Sequence, residues 1–107
     1  MFARVVECQA KKGHADGVAA RVTTEVVPVL QKQPSFVDFV ALADEEIPER
    51  LLCISLWTSS PDTDNYHHDH YDTIVGLLRP LLASAPALET FAVHTSTVHR
   101  IAVRKAA

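Results

Sequence analysis

The sequence predicts one α+β domain with its elements in the order strand, helix, strand, strand, helix, strand. Four apolar runs are too short for helices and are rich in β-branched or aromatic residues. Two longer segments, after the first and third runs, repeat their apolar residues at helical spacing. A length of 107 residues suffices for one core but not two, so a single domain is expected over 1–107, with its core at 2–94 and a C-terminal extension from 95 available to a dimer partner.

The first run, Phe2 to Gln9, stops at Lys11-Lys12-Gly13. Between Ala15 and Gln33, Val18, Val22, Val26 and Val29-Leu30 recur at helical spacing until Pro34 ends the helix. Pro28 lacks an N–H and crowds the preceding turn, which predicts a kink there. Phe36 to Ala43 and Leu51 to Trp57 read as an antiparallel hairpin joined by the polar stretch from Asp44 to Arg50. Ser60-Pro61-Asp62 then starts a helix: a hydroxyl cap, a proline at the first helical position and a carboxylate near the positive end. That helix runs through Ile74, Leu77, Leu78 and Leu81, with a break expected near Gly76 and Pro80. Leu88 to His94 is the last core strand, and Val98, Ile101 and Val103 make the tail apolar enough to pair with another strand.

Composition narrows the function. The chain is 48% hydrophobic and 21% charged with three glycines, which excludes a disordered segment. A net charge of -3, with basic residues scattered apart from Arg100, Arg104 and Lys105, leaves no footprint for nucleic acid or an anionic membrane. The N-terminus turns polar at Glu7, so neither a signal peptide nor a span is read there, and the cytoplasm is the expected location. Cys8 and Cys53 sit in separate strands without ligand spacing and read as reduced core thiols. There is no glycine-rich phosphate loop and no nucleophile elbow, so no cofactor is expected.

Two helices cover one face of such a sheet, yet both parities of the middle strands are apolar. In the third strand Leu52, Ile54 and Leu56 are expected against the helices, with Cys53, Ser55 and Trp57 on the uncovered face; in the second, Phe36, Val40 and Leu42 oppose Val37, Phe39 and Ala41. An apolar face open to water needs a cover, so a homodimer, a ligand or both are expected.

Gly13-His14 opening the first helix, Gln33-Pro34-Ser35-Phe36 entering the second strand, and Leu56-Trp57-Thr58-Ser59 leading to a helix with Tyr66 resemble the antibiotic biosynthesis monooxygenase-like proteins of the dimeric α/β-barrel superfamily. The resemblance extends to about His94. It implies ferredoxin-like protomers whose sheets face each other across a two-fold axis, and in some members oxidation of small aromatic or quinol substrates by oxygen without metal or cofactor. Relatives that cleave haem use an Asn on the first strand, a Trp in the second helix and a histidine ligand further along. Here Val6, Tyr66 and Gly76 stand in those places, which counts against haem, with His70 as the one substitute ligand to weigh.

Several side chains could carry chemistry. Trp57 could stack on a planar substrate or simply anchor a core or interface. Tyr66, His67, His68, His70 and Tyr71 cluster on the second helix, with His67/His70 and His67/Tyr71 on shared faces; they make an incomplete metal site or, more ordinarily, a solvated helix end. His70 or His94 could remove a phenolic proton, creating the electron-rich anion that reacts with oxygen. Arg4, on the parity of Phe2, Val6 and Cys8, could stabilise a phenolate or carboxylate, or pair with Asp38 or a partner subunit. Asp38, a carboxylate among apolar residues, could bind substrate if its face is the right one.

These features lead first to a cofactor-independent monooxygenase for a small aromatic or quinol-like substrate, in a pocket between sheet and helices of a homodimer. The alternatives are a non-catalytic dimeric binder of a small apolar ligand and an isomerase on the same scaffold.

Overall fold

The computed structural model describes residues 1–101 as an antiparallel four-stranded sheet with its helices on one face. β1 (Phe2–Gln9), β2 (Phe36–Ala43), β3 (Arg50–Trp57) and β4 (Ala87–Ala92) lie in the order β2-β3-β1-β4, the ferredoxin-like arrangement. β4 ends at Ala92, two residues short of the expected His94. Thr95 to Ile101 forms no strand, and Val103, Arg104 and Lys105 lie outside the described residues. No helix among the described residues is long and apolar enough to cross a membrane.

Each helical segment contains a π-helical turn. The first is α1 (Ala15–Arg21), the turn Val22–Val26 and α2 (Val27–Gln31). The second is α3 (Ser60–Tyr66), the turn His67–Tyr71 and α4 (Asp72–Leu78), followed by a 3-10 turn over Arg79–Leu81. The buried residues explain this. Val18, Val22, Val26 and Leu30 repeat every four positions, as do Ile74 and Leu78 on the register of Tyr66. On an ideal α-helix each step of four over-rotates by about 40°, so such a stripe would swing off the sheet. A π turn, with i→i+5 bonds, rotates less per residue and removes that drift. Pro28, second in α2, follows the first turn directly, so the disturbance expected as a kink is absorbed just before the proline. In the second segment the helix passes through Gly76 and yields only at Pro80.

Ser59, one residue before the expected Ser60, is the cap of α3; its Oγ accepts from the Asp62 N–H at 3.4 Å. Ser35 turns the chain into β2 with a left-handed φ of 66°, and its hydroxyl donates to the Asp62 carboxylate, tying the start of β2 to α3. Asp44 shapes the hairpin connection by accepting from the N–H groups of Glu46 and Ile47.

The strand register decides which side chains meet the helices. Arg4 pairs with Ser55 and Thr90, and Val6 with Cys53 and Leu88. Cys8, Arg4, Leu51, Ser55 and Trp57 are buried on this covered side. The expected facing of β3 is therefore reversed: Leu52, Ile54 and Leu56 pair with Glu7, Val5 and Ala3 on the uncovered side. Both parities of β3 are apolar, and the rule that the more aliphatic one meets the core fails because the covered side also houses Arg4 and Ser55. A register shift between Phe36 and Asp38 inserts an extra residue in β2. Phe36 thereby joins Phe39 and Ala41 on the helix side, not Val40 and Leu42 as the plain alternation suggests, and Asp38 falls on the uncovered side opposite Leu56. Arg4 and Asp38 occupy opposite faces of the sheet and form no ion pair.

Candidate active site between sheet and helices

A cavity of about 50 Å³ lies between the sheet and the helices. Its wall is apolar along Val22, Val26 and Leu30 of the first helical segment and Ile74, Val75 and Leu78 of the second, and polar at Arg4, Ser55, Tyr66 and Tyr71. Arg4 is only 5% exposed. Its Nη2 donates to His67 Nδ1 at 3.1 Å, and its guanidinium lies 5.5 Å from the ring centroids of both Tyr66 and Tyr71. Because arginine can only donate, His67 must accept at Nδ1 and carry its proton on Nε2.

No carboxylate pairs with Arg4 among the described residues. Desolvation holds its pKa below the ordinary arginine value, against the opposite pull of Tyr66, Tyr71 and Asp64. A guanidinium nevertheless stays protonated at neutral pH. The cavity thus holds a desolvated cation without a counter-anion, an arrangement that costs stability unless a ligand completes it.

The second π turn assembles this end of the cavity. Tyr66 and Tyr71 are five residues apart and would point about 140° away from each other on an α-helix. The turn at His67–Tyr71 brings both rings to one guanidinium, and His67 stacks on Tyr71 at 4.5 Å and 20°. Burial pushes the Tyr66 phenol up to about 12 despite the opposing effect of Arg4, and burial likewise raises Tyr71. Both are therefore neutral O–H groups at pH 7, able to donate to a ligand oxygen.

Trp57 is fully buried, but behind the cavity wall. Its Nε1–H donates to Ser55 Oγ at 2.8 Å, which leaves the Ser55 hydroxyl hydrogen for a ligand. Its ring meets Phe36 edge-on at 5.7 Å and Tyr66 at 5.1 Å. Trp57→Phe is expected to lower stability by about 1–2 kcal/mol through the lost volume and hydrogen bond, with ligand affinity nearly unchanged. A thermal melt and a ligand titration check this; lost affinity at an unchanged Tm would show direct ligand contact instead.

The other sequence-derived candidates are placed as follows. His70 is half-buried and stacks on Tyr66 at 6.0 Å and 29°, outside the cavity lining. His94 is exposed beyond the end of β4, beside Thr95. Asp38 accepts from the Phe39 N–H at 2.9 Å and lies 3.2 Å from His99 Nε2; these contacts, the backbone one foremost, hold its carboxyl below the usual range. Sequence reasoning missed Ser55, whose polarity amid an apolar strand was the available signal, and Tyr71, read only as a partner of His67. Cys8 and Cys53 are free thiols in the cavity wall; a hydrogen bond between them lowers the pKa of Cys8 and raises that of Cys53. Among the described residues no three His, Cys, Asp or Glu side chains gather as a metal site.

This arrangement can bind an oxyanion in a mostly apolar cavity, and it sits in a recognisable lineage. The antibiotic biosynthesis monooxygenase profile matches residues 1–75, and the chain belongs to that family. Similar solved structures include a protein of unknown function from Nitrosomonas europaea, with a TM-score of 0.77 at 15% identity over 92% of this chain and 94% of that one. A conserved protein from Methanosarcina mazei Go1 has a TM-score of 0.71 at 20% identity, covering 85% and 91%. A candidate antibiotic biosynthesis monooxygenase from Nitrosomonas europaea has a TM-score of 0.73 at 14% identity, covering 87% and 98%. At these identities the likeness establishes the ferredoxin-like fold. No curated protein matches the sequence.

Proposed function

We propose that this protein is a cytoplasmic, cofactor-independent monooxygenase for a small phenolic or quinol-like molecule, whose oxyanion is held by Arg4. The supporting observation is the buried guanidinium, without a carboxylate partner among the described residues, set among two neutral tyrosines and a serine in an otherwise apolar cavity. A phenol entering this end loses its proton more readily because Arg4 stabilises the anion. The phenolate is electron-rich enough to react with oxygen directly. For an activated methylene, both C–H bonds are broken, one oxygen atom becomes the carbonyl and the other leaves as water, so the substrate supplies all four electrons that reduce the oxygen. His70, stacked on Tyr66, is the base in this reading; His94, exposed beyond the end of β4 beside Thr95, is the alternative.

A second reading, non-catalytic binding of the same anion, is favoured by one fact: among the described residues the cavity lining contains no histidine, aspartate or glutamate. Oxygen uptake with hydroquinones and anthrone-like compounds separates the two. Oxygen-dependent turnover, reduced in His70→Ala, supports the monooxygenase. Tight binding without turnover supports the binder, and anaerobic conversion would point to an isomerase.

The working unit in this proposal is a homodimer. On the uncovered sheet face Val40, Leu42 and Phe91 are 48%, 44% and 49% exposed, beside Leu52, Ile54 and Leu56. Joining two such faces across a two-fold axis would remove this surface from water.

A further inference from the structure

The cavity beside Arg4, at about 50 Å³, is too small for the body of an aromatic substrate; a cavity that takes up benzene is roughly 150 Å³. A second, larger hollow of about 310 Å³ adjoins it. Val75 and Pro86 line both, so the two hollows share these side chains. The outer hollow is walled by the connection from Leu82 to Pro86 and by Arg79 at the end of the second helical segment. Arg79 is exposed and has no carboxylate partner among the described residues.

We infer that the two hollows form one elongated site, in which Arg4 receives the phenolic head, the aromatic body crosses Val75 and Pro86, and Arg79 pairs with a second acidic group at the far end. The ligand class is then an elongated hydroxyaryl acid, not a single-ring phenol. This rests on the reading of Arg4 as an oxyanion seat and adds a separate role for Arg79. The energetics differ between the two ends. Arg4 is desolvated and supplies most of the anion binding, whereas Arg79 stands in water and supplies a modest gain that discriminates among ligands.

Titrations of 2-naphthol and 6-hydroxy-2-naphthoate into the protein, Arg79→Gln and Arg4→Met test it. The carboxylate should raise affinity for the unmodified protein roughly fivefold over 2-naphthol, and that gain should vanish in Arg79→Gln. Arg4→Met should weaken both compounds. A gain that is missing, or that survives Arg79→Gln, overturns the inference, as does failure of both compounds to bind. Binding of 2-naphthol unaffected by Arg4→Met would instead refute the oxyanion seat itself, so the two failures are distinguishable. Val75→Trp, which adds bulk at a side chain the two hollows share, should exclude both naphthyl compounds while circular dichroism stays unchanged; unaltered binding in that variant also overturns the elongated site.

Discussion

Arg4→Met is expected to make the protein more stable and to remove its function. Among the described residues the guanidinium is buried without a carboxylate partner, and its one side-chain hydrogen bond goes to His67. Replacing a desolvated charge of this kind with an apolar side chain of similar length is neutral or favourable, here by about 1–2 kcal/mol. For a chain of this size that corresponds to a rise in Tm of about 4–8 °C per kcal/mol. The same change deletes the charge that stabilises the oxyanion, so turnover should fall about 100-fold or more. Arg4→Lys keeps a cation but loses the planar fork facing Tyr66 and Tyr71, and should recover only part of the activity. Calorimetry and oxygen uptake on the same preparations check both halves. A lower Tm for Arg4→Met would mean that the arginine is a structural element.

The second large effect concerns assembly. Ile54 lies on the uncovered face between Val5 and Val40. In the monomer Ile54→Asp places its carboxylate at a half-exposed position, a small perturbation, but in a dimer joined through this face the charge would be buried without a partner. Association should weaken by about 100-fold or more. Light scattering should give twice the 11.8 kDa chain mass for the parent protein at micromolar concentration and the single-chain mass for the variant. A parent protein of single-chain mass would contradict the dimer.

The positions of the elements were legible because Gly13, Pro34, the Asp44–Arg50 stretch and Pro61 punctuate apolar runs of distinct length. The facing of the sheet was not, since alternation carries no sign when both parities are apolar. The extra residue between Phe36 and Asp38 added a second reversal that a count of alternating positions cannot see. At the cavity, Arg4 was readable as a charged residue on an apolar strand, and Tyr66 as one of a cluster of aromatic and histidine residues at the start of the second helix. The place of Tyr71 beside Tyr66 was not, because an α-helical wheel separates the two and only the π turn unites them. That turn has a trace in the sequence: buried residues that recur strictly every four positions, a period longer than the α-helix allows.

The most direct test of the central claim is the apparent pKa of a bound phenol, read from the absorbance of 2-naphthol as a saturated complex is titrated with base. An oxyanion seat built on Arg4 should lower that pKa by roughly one unit or more relative to water, and Arg4→Met should abolish the shift. A bound phenol that ionises at or above its value in water would contradict the claim, because the cavity would then be favouring the neutral form.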